Sequence, residues 1–272
     1  MLIRIGYDIE LGVTAPTALI YMLQVHPSRA ADIPAGEAIT ISPPLATDHY
    51  RDAFDNQCAR VHVPLGVGSV RLRNTAVVHD SGLPDPVDAG AIEHAPADLP
   101  THTLAFLLPS RYCEVDSELL PFAWAHFSGT APGWPRVQAI CDFVHRHLRF
   151  DYQRARANRT ALEAWRERIG VCRDFTHLAV TLCRCMNIPA RYVTGYLGDI
   201  GVPPVPYPMD FSAWFEVWLG DRWHTFDARH NTPRIGRVVI ARGRDAADVP
   251  ITMVFGVNKL QRFDVVTQEV SA

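Results

Sequence analysis

The chain has 272 residues, 48% of them hydrophobic and 20% charged, and 26 basic against 29 acidic side chains leave a formal net charge of −3. Those proportions supply a core for one large domain or two, and exclude disorder, collagen and coiled coil as descriptions of the whole. With no basic excess and no apolar run of about 18 residues, neither a nucleic acid nor a membrane is expected as a partner.

The first residues, Met1-Leu2-Ile3-Arg4-Ile5-Gly6-Tyr7-Asp8, lack the apolar block of a signal peptide. Cys58, Cys113, Cys141, Cys172, Cys183 and Cys185 are too scattered for a disulfide framework. Reduced thiols in a cytoplasmic protein are the expectation.

Along the chain, Ile3, Ile5, Tyr7 and Ile9 alternate with Arg4, Asp8 and Glu10, the period of a half-buried strand. Ala18 to Val25, Cys58 to Val63 and Ser69 to Val78 are further strand candidates between turn-forming clusters, which predicts an antiparallel β-sandwich over residues 1–95. From His79 to Pro100 the Pro, Gly, Asp and Ala content reads as a connector. Val137, Ile140, Cys141, Val144 and Leu148 then line one face of a helix. Thr160 and Glu163 have capping-box spacing, with Gly170 as a stop. A second helix starts at Cys172, carries Phe175, Leu178, Ala179, Leu182 and Met186 on one face, and ends at Asn187-Ile188-Pro189. Strands are expected at Arg191 to Leu197, Ser212 to Trp218 and Trp223 to Ala228, the last two joined by a hairpin turn. Helices followed by strands make this half an α+β unit.

Cys172 lies at the first turn of its helix, where unpaired N–H groups and the positive end of the dipole favour a thiolate. Position alone fits a small buried hydrophobe better. The wider context is more specific. Gly170-Val171-Cys172-Arg173-Asp174-Phe175-Thr176-His177-Leu178, Gly195-Tyr196-Leu197, Ala213-Trp214-Phe215-Glu216-Val217 and Trp223-His224-Thr225-Phe226-Asp227 together resemble the transglutaminase-like cysteine-enzyme superfamily, in the form found in bacteria. The resemblance implies an α+β protein: an N-terminal antiparallel β-sandwich (1–95), then a transglutaminase-like domain with a papain-type core (96–272). It also implies Cys172 as nucleophile and Asp227 as the carboxylate that orients the base.

The family's histidine would precede Ala213-Trp214, where this chain has Ser212. Serine cannot take a proton near neutral pH, so a base must come from elsewhere. His230, three residues beyond Asp227, is the first candidate. His224 should face the other side of its strand, and His177 lies roughly 140° around the helix from Cys172. Asp210 shares the Ser212 face by period-2 counting. The cysteine and histidine spacings give no metal motif, and no cofactor is expected. His145-Arg146-His147 reads as a solvated helix face. Trp214, Trp218 and Trp223 suit a peptide groove or ordinary packing, and Arg229 an ion pair or a carboxylate anchor.

Two functions are expected from this pattern. The first is a cysteine-dependent peptidase or amidase working by acyl transfer on a peptide or protein substrate. Cys172 would form a thioester, helix-start N–H groups would hold the oxyanion, and the Pro-rich loop from Gly198 to Phe211 would rim the cleft. The second is a catalytically silent peptide- or protein-binding module on the same scaffold. An active site predicts a lowered thiol pKa at Cys172; a binder predicts an ordinary or buried thiol facing a hydroxyl.

Overall fold

The computed structural model describes residues 1–205 and 209–270. The N-terminal part consists of β1 (Leu2–Val13), β2 (Thr17–Tyr21), β3 (Thr40–Ser42), β4 (Thr47–Arg51), β5 (Gln57–Val63) and β6 (Ser69–His79). The α+β part follows with α1 (Leu119–Phe127), α2 (Trp134–His147), β7 (Arg149–Phe150), α3 (Ala161–Glu167), β8 (Ile169–Gly170), α4 (Cys172–Cys185), β9 (Ala190–Tyr196), β10 (Ser212–Leu219), β11 (Arg222–Phe226) and β12 (Val238–Gly243). The chain then returns through β13 (Thr252–Phe255) and β14 (Asn258–Val270).

Two antiparallel sheets, ordered β14-β1-β6-β3 and β13-β2-β5-β4, build the first unit. The alternation in β1 does what its period requires, since Ile3, Ile5, Tyr7 and Ile9 are all buried. The expected division at residues 95/96 differs from the observed one at the far end of the chain. β14 runs antiparallel to β1 from Leu2↔Val270 onward, and β13 pairs with β2. The last two strands therefore complete the N-terminal sheets, so the α+β part is an insertion between strands of one sandwich.

The central sheet of the α+β part has the order β11-β10-β9-β12, all antiparallel. One cluster of apolar side chains joins it to α1, α2, α3 and α4 through Phe215, Val217, Leu219 and Phe226. Another joins Tyr192, Tyr196, Ala213, Val238 and Ile240 to the sandwich core. The sheet thus sits between helices and sandwich, and buried strands of this kind need apolar residues on both faces. All eight residues of β10 are buried. α3 begins with the expected capping box, Thr160 Oγ1 accepting from the Glu163 N–H and Glu163 accepting from the Thr160 N–H. All six cysteines are free and buried. Among the described residues no helix is long and apolar enough to cross a membrane.

Candidate functional site

Cys172 is the first residue of α4, and its neighbours fix where that helix begins. Asp174, fully buried, accepts a hydrogen bond from the Val171 N–H at 2.9 Å, tying the carboxylate back to the residue before the helix. Arg159 closes the arrangement from outside the helix, its guanidinium 2.9 Å from Asp174 Oδ2. Gly170 is required by this packing, because a Cβ there would come within 2.5 Å of Asp174 Cβ. The sequence marks Asp174 as suited to a helix start; Arg159, fifteen residues away on a loop, carries no local signal.

Around the sulfur, the backbone N–H groups of Arg173 and Ala213 are positioned to donate to a thiolate, and Arg229 and Asp210 are the charges that act on it. Burial raises the thiol, outweighing these donors and Arg229, and Cys172 is pushed up to about 11. The thiolate expected from helix position alone is therefore not what the resting site favours. A helix dipole and two N–H groups recover less than desolvation costs a thiol that is 9% exposed.

Asp227 and His230 come together at the end of β11. The Asp227 carboxylate accepts from the N–H groups of Arg229 (2.9 Å) and His230 (3.0 Å), and its Oδ2 lies 2.8 Å from His230 Nδ1. Arg237 supplies a further bond at 2.9 Å and spans to Asp85 at 2.8 Å, with its guanidinium 4.9 Å from the centre of the Trp214 ring. Burial alone would push Asp227 up; Arg237 and His230 more than offset it and hold the carboxyl well below the usual carboxylate range. Nothing in the sequence near Asp227 signals Arg237, which arrives from the start of β12.

His230 is partly exposed and opens, with Ser212, Asp210, Arg229 and Tyr152, onto a cleft of about 300 Å³. Ser212 is paired with Gly195 across β9 and β10, and its hydroxyl is buried without a hydrogen-bond partner among the described residues. Asp210 accepts from the Phe211 N–H at 2.6 Å, and burial raises its carboxyl. Val202, Pro203 and Val205 line the same cleft, as the Pro-rich loop was expected to do; Pro206 and Pro208 lie outside the described residues.

The other candidate bases sit elsewhere. His177 is fully buried, stacked on Tyr112 with ring centres 5.1 Å apart, and its Nε2 accepts from the Ala246 N–H. Burial, with Arg173 and Arg184 nearby, holds it well below the usual histidine range, so it is a neutral packing element. His224 is buried edge-on against Trp134. The tryptophans pack rather than line the cleft: Trp214 is 1% exposed, and Trp218 and Trp223 meet edge-to-face at 5.5 Å. His145 and His147 hydrogen-bond to the carbonyls of Arg229 and Trp165. No group of three or more metal-ligating side chains occurs among the described residues.

Comparison with known proteins places these elements in context. Residues 125–228 match the family described as the transglutaminase-like superfamily, a span that includes Cys172 and Asp227 and stops two residues short of His230. A provisionally assigned cysteine protease from Cytophaga hutchinsonii has a similar structure, with a TM-score of 0.87 and 30% identity, over 100% of this chain and 91% of that one. An uncharacterised protein of Mycobacterium tuberculosis is 27% identical over 238 residues, 78% of this chain and 73% of its own length. An uncharacterised Mycobacterium leprae protein is 31% identical over 113 residues, and the matched segment spans 40% of that relative.

Proposed function

For this chain, which belongs to the transglutaminase-like superfamily of cysteine hydrolases and transferases, we propose cysteine-dependent acyl transfer at amide bonds, with Cys172 as nucleophile, His230 as base and Asp227 as its orienting carboxylate. The observation that carries this reading is the 2.8 Å contact between Asp227 Oδ2 and His230 Nδ1 on the wall of the cleft that Ser212 also lines. A histidine donating through Nδ1 to a buried carboxylate keeps the lone pair of Nε2 for a proton. His230 thereby takes the role that Ser212 cannot.

The proposed chemistry follows from the charges. Because burial favours the thiol over the thiolate at Cys172, the proton passes to His230 as the sulfur–carbon bond forms, without a standing ion pair. Asp227 stabilises the imidazolium so produced, and the N–H groups of Arg173 and Ala213 favour negative charge at the sulfur. The amine leaves with the proton from His230, and the thioester is released by water or by a second amine. Hydrolysis as a peptidase or amidase is the preferred outcome, and the cysteine-protease assignment of the Cytophaga hutchinsonii protein supports it. A peptide or protein substrate in the cytoplasm belongs to the same proposal.

A catalytically silent binding module has its own support: the raised thiol of Cys172 and the buried hydroxyl of Ser212, which has no partner among the described residues. The Asp227–His230 pair favours the enzyme, since a binding cleft has no use for a histidine held to a buried carboxylate. Incubation with p-nitrophenyl acetate followed by intact mass analysis separates the two. The enzyme reading predicts a hydroxylamine-labile acetyl group on Cys172, absent from Cys172→Ala and slow to form in His230→Ala. A protein that stays unacetylated, or one labelled equally in both variants, contradicts it.

A further inference from the structure

Arg229 lines the cleft with His230 and its charge acts on the Cys172 sulfur, but its guanidinium takes no proton and forms no bond in the acyl-transfer step. The backbone N–H of Arg229 goes to Asp227, but among the described residues no carboxylate comes within 4.0 Å of its guanidinium. The side chain lies over Phe150, its central carbon 3.9 Å from the ring centre, and within hydrogen-bonding reach of the Tyr152 hydroxyl. The carbonyl of Arg229 is held by the His145 ring at 2.9 Å, which fixes the residue from the helix side. Asp210 and Asp199 line the same cleft; Asp210 accepts from the Phe211 N–H and feels the Arg229 charge, but neither carboxylate comes within ion-pair distance of the guanidinium. A guanidinium over an aromatic face, with no carboxylate within 4.0 Å among the described residues and facing a cleft of about 300 Å³, is organised to receive a carboxylate.

We propose that Arg229 is the carboxylate anchor of this cleft, and that the ligand is a peptide bearing a free carboxylate, either its own C-terminus or an Asp or Glu side chain, next to the amide presented to Cys172. This specificity rests on the acyl-transfer reading for its chemistry, but the anchor itself is a matter of binding. It is tested without turnover, in full-length protein carrying Cys172→Ala. Three pools of N-acetylated tetrapeptides serve as probes: neutral sequences ending in a free carboxylate, sequences ending in a carboxamide with one Glu, and neutral sequences ending in a carboxamide.

The expected result is retention of the first or second pool roughly tenfold or more above the third, the size of one charge-assisted hydrogen-bond pair. Which of the two is retained identifies the carboxylate's source. Adding Arg229→Gln should erase the preference and Arg229→Lys should keep part of it, with thermal melts showing that both variants fold. Equal retention of all three pools overturns the proposal, as does a preference that survives Arg229→Gln. A third contrary result is an Arg229→Gln variant that changes only thiol reactivity in the Cys172 protein, which would make Arg229 a field on the sulfur. Carboxylate retention by a protein that never acylates would leave the anchor standing and remove the enzyme reading, so the two fail separately.

Discussion

Asp227 grips His230 twice, through the backbone N–H at 3.0 Å and through the ring Nδ1 at 2.8 Å, although only three residues separate them. The turn after β11 therefore does more than end a strand. It aims an imidazole at the cleft from a carboxylate already pinned by Arg237. In the proposed arrangement the base is His230 rather than a residue of β10, and the buried Ser212 hydroxyl has no hydrogen-bond partner among the described residues. Removing the ring is expected to cost a general base: His230→Ala should lower kcat/KM by about 10²–10⁴-fold, with a melting temperature close to that of the unaltered protein. Asp227→Asn should cost a similar factor by allowing the wrong tautomer. Steady-state kinetics on the best amide substrate from the peptide pools checks both, and a His230→Ala enzyme within threefold of the original would exclude the assignment.

Arg237 is the less obvious member of the arrangement. Its side chain is 6% exposed and bridges Asp85 and Asp227, so removing it leaves the buried Asp227 carboxylate without its main counter-charge. Arg237→Met should destabilise the fold by about 3–5 kcal/mol, as expected when one partner of a buried pair is deleted. Urea unfolding monitored by tryptophan fluorescence measures the loss. A loss below about 1 kcal/mol would mean that Asp227 does not depend on Arg237.

Gly170 tests the placement of Cys172 without touching it. An alanine Cβ would meet Asp174 at 2.5 Å, and the start of α4 would have to shift. Gly170→Ala should cost about 1–3 kcal/mol through overpacking, and should impair acylation of Cys172 beyond what the loss of folded protein explains. Comparing the acylation rate per folded molecule with the original protein separates the two effects.

Two buried histidines set the acid side of stability. Burial, reinforced by Arg242, lowers His26 to about 4, and burial also holds His177 well below the usual range. Both are neutral when folded, whereas an unfolded histidine titrates near 6.5, so the unfolded chain binds more protons as the pH falls below that value. Their contribution is complete above about pH 6.5 and is lost progressively toward the folded value, at up to about 1.4 kcal/mol per pH unit for each. Urea midpoints measured between pH 7.5 and pH 4.5 should decline accordingly, and His177→Gln should flatten the slope. A midpoint that does not change across this range would contradict the reading of both residues.

What the sequence disclosed and what it withheld divide by range. The alternation in β1, the capping box at Thr160 and the helix opening at Cys172 are local patterns, and each element forms where its pattern lies. α1 went unread because Leu119–Phe127 is apolar almost throughout and contains a proline, so it offers no amphipathic period. β12 is a short apolar run without alternation. The pairing of β14 with β1 joins the two ends of the chain, and no spacing rule reaches that far. At the candidate site the sequence points to Cys172 and Asp227 through the motif and to His230 through its nearness to Asp227, and the structure brings Asp227 and His230 together. Arg237 and Arg159 were not, since a buried counter-charge is recognised only by what it touches. The balance at the Cys172 thiol is hidden for a related reason: helix position can be read from spacing, but the burial that outweighs it cannot.

The central claim is that His230 serves as the base for Cys172, and the most direct measurement is the pH dependence of Cys172 alkylation by iodoacetamide. It should be followed by peptide mass spectrometry in the original protein and in His230→Ala, with the other five cysteines as internal controls. The account predicts a component of Cys172 reactivity below pH 8 that disappears in His230→Ala, whose thiol should react only as the pH rises toward about 11. Identical profiles in the two proteins, both rising only toward that value, would contradict it and leave the cleft as a binding site.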